Sequence, residues 1–156
     1  MQLPQFQVHE ELEEHYWWFL ARRTILRQIL HRISKPHSGS LILDVGCGTG
    51  GNTKAFADEY NCIGVDPIRI AIESARDRFP GLQFIVGYAP EDVRDHLAKA
   101  DIVLLMDVLE HVEDDFALVS KLLAAMKSGA HLILMAPADY ALWGPHDRGF
   151  EHFRRY

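Results

Sequence analysis

Apolar residues recur along this chain with two different periods. In the first third, Leu12, Tyr16, Phe19, Leu26, Leu30 and Ile33 return in three- and four-residue steps. That spacing predicts one long helix with a single apolar stripe. Ser34, Pro36, Ser38 and Gly39 then end it. Beyond them the pattern changes to short apolar runs: LILDV (41–45), CIGV (62–65), QFIV (83–86), IVLLM (102–106) and HLILMA (131–136). Each is long enough for one strand, and most lack the polar alternation of a strand with a wet face, as in a parallel sheet covered on both sides. Helix-length segments separate them at Asn52–Glu59, Ile68–Arg78 and Asp114–Met126, with a shorter one at Asp92–Ala98. Strands alternating with helices predict right-handed βαβ crossovers and an α/β fold with an open sheet. The segment 137–156 carries Pro, Gly and charges without a period and reads as loop with one helical turn.

The first strand runs into Asp44-Val45-Gly46-Cys47-Gly48-Thr49-Gly50-Gly51. Glycines at a strand-to-helix turn let the backbone approach a ligand with no Cβ in the way. The free amides of the following helix start favour an anion or carboxylate. Three ligands compete for such a loop. Gly46-x-Gly48-x-x-Gly51 fits a dinucleotide fingerprint. Gly46-x-x-x-x-Gly51-Asn52-Thr53 approaches a phosphate loop, but Asn52 replaces the lysine that carries its charge. The third ligand is S-adenosylmethionine. Asp44, two residues before the first glycine, favours it: a carboxylate there repels a pyrophosphate and attracts the ammonium of a methionine moiety. Asp66 ends the second strand 20 residues after Gly46, where a carboxylate can accept both ribose hydroxyls of an adenosine. An NAD-dependent oxidoreductase shares the loop, but Asp44 and the short 52–59 helix argue against it.

Composition narrows the setting. The 156 residues suit one domain, 1–156, and 48% hydrophobic content supplies a core. A net charge of −6 gives a nucleic acid no whole-chain electrostatic attraction, so none is expected as a partner. No apolar run approaches the roughly 20 residues of a membrane span. The acidic start MQLPQFQVHEELEE lacks a signal peptide's basic and apolar regions. With only Cys47 and Cys62, a reducing cytoplasmic location is expected.

LDVGCGTGG, GVDP and DVLEHVEDD together resemble the nucleotide-site motifs of class I S-adenosylmethionine-dependent methyltransferases. HYWWFLARR and WGPHDRGFEHFRRY are similar to a bacterial branch of that family, one acting on small molecules or glycans. The resemblance implies a Rossmann-like parallel sheet in the order 3-2-1-4-5, with the cofactor at the C-terminal ends of strands one, two and four. It divides the chain into an N-terminal helical lid (1–35), an α/β core (40–136) and a substrate-side tail (137–156). It implies that Asp44, Gly46, Cys47, Gly48 and Gly50 line the methionine end of S-adenosylmethionine. Asp66 would hold the ribose, Pro67 and Ala89 would lie near the adenine, and Met106, Asp107 and Leu109 would close over the cofactor. The family sheet has seven strands, whereas this chain carries five, so the fifth is expected to be an exposed edge through which copies could associate. A methyl acceptor, expected to be a small molecule, is not identifiable from the sequence. A non-catalytic S-adenosylmethionine-binding fragment is the alternative to an enzyme.

Three further clusters carry expectations. Tyr16-Trp17-Trp18-Phe19 would either pack the first helix on the sheet or form a lid over the cofactor. In the lid, Trp18 would wall the sulfonium, and Arg22 or Arg23 would pair with the methionine carboxylate. Asp107, Glu110, His111, Glu113, Asp114 and Asp115 form an acidic patch at a helix start, with His111 a candidate base. Their spacing matches no metal-ligand signature, so no metal is expected. His146, Asp147, Arg148, His152, Arg154 and Arg155 gather in the tail. The sharper reading sets them at the substrate pocket, with His146 as base.

Overall fold

A computed structural model describes residues 12–156; the part of the predicted lid before residue 12, including Glu10 and Glu11, lies outside the described residues. A helical turn at 12–15 leads into α1 (Trp17–Ile33), and Tyr16 between them is extended, with φ −74° and ψ 126°. The predicted single helix is therefore broken at Tyr16. The inward face also differs from the predicted stripe: Arg22, Leu26 and Leu30 are buried, while Leu12 and Tyr16 are exposed. The break has a physical cause. Glu13 is drawn away from the axis of α1 to meet arginines from two other turns of the chain.

The remaining elements follow the predicted order. They are β1 (Leu41–Val45), α2 (Gly51–Phe56), β2 (Asn61–Asp66), α3 (Arg69–Arg78), β3 (Gln83–Val86), α4 (Arg94–Leu97), β4 (Ile102–Met106), α5 (Asp115–Ala125), β5 (His131–Met135) and α6 (Pro145–Gly149). α2 is shorter than its predicted span: the Ala57 N–H bonds Lys54 in a tighter turn, and the helix stops. α5 starts where Asp114 accepts from the Ala117 N–H at 2.9 Å, a cap worth about 1 kcal/mol. The five strands form one parallel sheet in the order β3-β2-β1-β4-β5.

Strand alternation divides the core. Ile42, Cys62, Ile102, Leu104 and Met106 face one side, where Leu26 and Leu30 of α1 and Phe56 of α2 cover them. Ile72 and Ala75 of α3 cover Phe84 in a second cluster. Leu43, Val45, Val65, Val103 and Leu105 face the other side, under Val93, Leu97 and Leu122. Central β4 is buried throughout, while β5 is only half-buried and pairs with β4 alone. The tail does not lie along β5. Phe153 N–H donates to the Glu110 carbonyl at 2.7 Å, and Tyr156 O–H to Asp115. The tail thus crosses above the C-terminal end of the sheet and roofs a site there.

Candidate functional site

A cavity of about 1520 Å³ opens at the C-terminal ends of β1, β2 and β4. Its floor is the loop after β1. Gly48 has φ +53° and nothing within 4 Å of where a Cβ would stand, so its outer side is open cavity. Gly46 has φ +76°, and a Cβ there would meet Val108 at 2.4 Å, so it lets the loop after β4 come close. Asp66, at the end of β2, accepts from the Gly48 N–H at 3.0 Å and from the Ile68 N–H at 2.8 Å. Each carboxylate oxygen keeps an unused lone pair. Burial raises its pKa above the usual range, against those two bonds. Behind the loop, Asp44 is fully buried. Thr53 O–H donates to its Oδ2 at 2.7 Å, and its Oδ1 has no partner. Burial pushes this carboxyl up to about 6.

The turn at 12–15 and the start of α1 form one wall. Arg22 pairs with Asp107, and its guanidinium carbon lies 5.4 Å from the Phe19 ring centre and 6.0 Å from that of Trp18. Asp107 follows β4 with φ +56°, a left-handed backbone that costs a non-glycine residue roughly 1–2 kcal/mol. Its N–H bonds Met135 at 2.8 Å, and the Arg22 pair holds its side chain. Below the lid, Glu13 is buried over the start of α2. It accepts from Thr49 O–H at 3.0 Å, from Arg78 at 2.5 Å and from Arg23 at 3.4 Å. Gly51 is required beneath it, since a Cβ there would meet Glu13 Oε2 at 2.1 Å.

The tail forms the opposite wall. Asp147, fully buried at the start of α6, accepts from the Gly144 N–H, His152 Nδ1 and both the Nε and an η-nitrogen of Arg155. The Arg155 guanidinium holds its carboxyl well below the usual range. The His146 ring centre lies 4.4 Å from that of Phe150. The His111 and His152 rings meet edge to face at 4.7 Å, and burial lowers the His111 pKa. Glu110 is buried beside them, its Oε2 has no partner, and burial pushes it up to about 7.

Most residues singled out from sequence meet at this cavity. Gly46, Cys47, Gly48, Asp66, Pro67, Ala89, Met106, Asp107, His111, His146, Trp18 and Arg22 all lie on its wall. Three stand behind it. Asp44 lies under the loop, Gly50 packs against Phe84 and caps α2, and Leu109 belongs to the core beneath α4 and α5. Burial drives the Cys47 thiol far up, away from the thiolate form that a nucleophile uses. Sequence reading missed the clamp made by Glu13, which no local pattern announces, because Thr49 and Arg78 are distant in the chain. The placing of Asp147 did leave a signal: Gly144-Pro145-His146-Asp147 has proline at the first helical position and an acid at the third.

A family model described as a methyltransferase domain matches residues 16–155. The chain is 28% identical over 118 residues to trans-aconitate 2-methyltransferase of Variovorax paradoxus, covering 71% of this chain and 43% of that protein. It is 28% identical over 99 residues to ubiquinone biosynthesis O-methyltransferase of Vibrio parahaemolyticus, covering 60% and 42%. Its fold matches that of Haemonchus contortus phosphoethanolamine N-methyltransferase 2, solved in complex with S-adenosyl-L-methionine, with a TM-score of 0.66 and 20% identity over 83% of this chain and 33% of that one. The chain thus spans less than half the length of these relatives.

Proposed function

The chain belongs to the methyltransferase-domain family, and from that premise we propose that it binds S-adenosylmethionine and methylates a small-molecule, glycan-linked or lipid-linked acceptor. The observation that carries this reading is Asp66 tied to the Gly48 N–H beside open cavity. A carboxylate fixed by two backbone amides, with lone pairs left over, suits a pair of ribose hydroxyls. Gly48 leaves the room that an adenosine and a methionine moiety need. The unpartnered Oδ1 of Asp44 leaves negative potential under the loop, suited to an ammonium group above it. When bound, the cofactor supplies a methyl group activated by a sulfonium.

The residues of the chain then have positioning to do. Phe19 and Trp18 line the cavity wall with Arg22 over their rings, and a ring face beside a bound sulfonium would contribute about 0.5–2 kcal/mol. Arg22, braced by Asp107, keeps that wall closed over the cavity. Sequestering the reacting groups and aligning them in line can supply about 7–11 kcal/mol. An acceptor that must lose a proton needs a base. His146, packed against Phe150 at the tail wall, is the candidate for that task, with His111 the second choice.

Calorimetry with S-adenosylmethionine, S-adenosylhomocysteine and NAD tests the reading. The first two should bind with one-to-one stoichiometry, and NAD should not. Binding of NAD alone would make the loop a dinucleotide site and end the methyltransferase reading. A screen of acceptors bearing hydroxyl, amine or carboxylate groups then follows. Cofactor binding without turnover on any acceptor would leave the non-catalytic reading.

A further inference from the structure

We infer that Glu110, His111 and His152 form a binding site for a divalent first-row transition-metal ion at the acceptor end of the cavity. Glu110 and His111 lie on a short 3-10 turn after β4, while His152 arrives from the tail. The Phe153 N–H to Glu110 carbonyl bond fixes the two segments side by side. One donor atom from each of the three side chains lies within 4.8 Å of the other two. Metal–donor lengths of about 2.1 Å in a tetrahedral site put donors roughly 3.4 Å apart, so a modest closing of the side chains would complete it.

The arrangement around these donors is that of a built site. His152 Nδ1 is engaged by Asp147 at 3.0 Å, which directs its other nitrogen away from that carboxylate. A carboxylate behind an imidazole fixes the tautomer and raises the basicity of the free nitrogen. Asp147 is itself locked by Arg155 and the Gly144 N–H, so the orientation of His152 is set by a buried network. The His111 ring has its own backbone hydrogen bond at Phe150. Glu110 supplies the independent sign. It is 1% exposed, yet its Oε2 has no hydrogen-bond partner. Leaving a buried carboxylate oxygen unpaired is costly, and a cation shared with two imidazoles removes that cost.

Two imidazoles and one carboxylate suit Zn²⁺, Fe²⁺, Co²⁺ or Mn²⁺ and disfavour Ca²⁺ and Mg²⁺, which prefer all-oxygen shells. Three protein donors leave coordination positions open. Glu110, His111 and His152 all line the cavity, so those positions face it. If the methyltransferase reading holds, an acceptor oxygen would occupy one of them, and a bound cation would lower the pKa of that hydroxyl. The ion site itself does not depend on that reading.

The test uses the tag-free full chain after dialysis against a chelator, titrated with Zn²⁺ by calorimetry and with Co²⁺ by visible absorption. One equivalent should bind, with Co²⁺ absorption typical of nitrogen and oxygen ligands. His152→Ala and His111→Ala should each weaken Zn²⁺ binding at least 10-fold. Asp147→Asn should weaken it by roughly 10- to 100-fold through His152. His146→Ala, outside the donor set, should leave it unchanged. Circular dichroism checks folding, and His152→Gln serves if the alanine variant unfolds. Absence of saturable one-to-one binding, or full affinity in a folded His152 variant, overturns the site. S-adenosylhomocysteine binding in the same samples separates the two readings. Cofactor binding without Zn²⁺ binding sinks the metal site alone, and the converse sinks the methyltransferase reading alone.

Discussion

Asp66 joins strand, loop and cavity through two oxygens, and its removal tests them together. Asp66→Ala should weaken S-adenosylhomocysteine binding by about 1.5–3 kcal/mol, the scale of hydrogen bonds to a charged group; unchanged affinity by calorimetry would remove Asp66 from the site. Gly48→Val should abolish binding while leaving a folded protein. No neighbour stands within 4 Å of the new Cβ, so the protein loses only the roughly 1–2 kcal/mol of a left-handed backbone, and the side chain fills the space left for the ligand. A folded variant that binds normally would overturn the loop assignment. Asp44 gives a pH signature. Its folded pKa, raised from 3.8 to about 6 by burial, means that the folded state holds this proton more tightly than the unfolded chain. The stability it contributes is fully present below pH 3.8 and is lost as pH rises through 6. Asp44→Asn removes this titration, so the variant should gain about 2 kcal/mol relative to the parent between pH 4 and pH 7. A stability difference that stays flat over that range in denaturant titrations would show that Asp44 does not titrate there. At this scale the sequence carried the floor of the site and not its rear. Asp44, Gly48 and Asp66 are announced by spacing around one strand and one turn. The partnering of Glu13 with Arg78 depends on how distant segments cross, which no local period encodes; that of Asp147 with His152 and Arg155 is local to the tail, and only its burial was not legible.

The core elements were legible because each burial requirement left its own period in the chain. Five apolar runs became five strands, and Leu26 and Leu30 became the inward face of α1. The break at Tyr16 was not legible, because tertiary ion pairs make it. Glu13 leaves the axis of α1 for Thr49, Arg78 and Arg23, and so folds 12–15 down onto the start of α2. That contact makes the lid a latched element. Both arginines are largely shielded from solvent, and losing the carboxylate removes one partner of each, while Arg78 keeps Glu14 and the Thr49 carbonyl and Arg23 keeps Asn52 and the backbone carbonyl of residue 13. Glu13→Ala should destabilise the protein by about 1–3 kcal/mol. It should also speed amide exchange in 12–20 far more than in 24–33, where Leu26 and Leu30 hold the helix. Equal acceleration along all of α1 would mean that Glu13 supports the core and not the latch. Unchanged exchange at 12–20 would mean that the aromatic side chains alone hold the lid.

On the scale of the whole molecule, the five-stranded sheet has two unlike edges. β3 is short and α3 packs over its Phe84, whereas β5 reads HLILM and carries neither proline nor lysine to discourage pairing. Leu134 is 48% exposed, and Ile133 and Met135 are only partly covered. The tail does not mend this edge along 131–135: its bonds run to Glu110, Glu113 and Asp115 above the sheet, and Tyr156 pairs with Pro137 and Asp139 beyond the end of the strand. It brings His146 and His152 to the cavity wall. An apolar strand with free backbone groups invites a second copy, while a net charge of −6 keeps copies apart at low salt. Self-association should therefore rise with protein concentration and rise again as ionic strength goes from about 0.01 M to about 1 M, where the screening length shrinks from roughly 30 Å to 3 Å. Sedimentation velocity at several concentrations and salts reads the first effect. Hydrogen exchange reads the second consequence of an unpaired edge, faster exchange in β5 than in β1, which is flanked by β2 and β4. A monomer at every salt with equal protection in β1 and β5 would show that the edge is closed by the tail after all. In that case the roof over the cavity and the cover of the sheet are one structure, and substitutions in 137–156 would then weaken β5 and the site together.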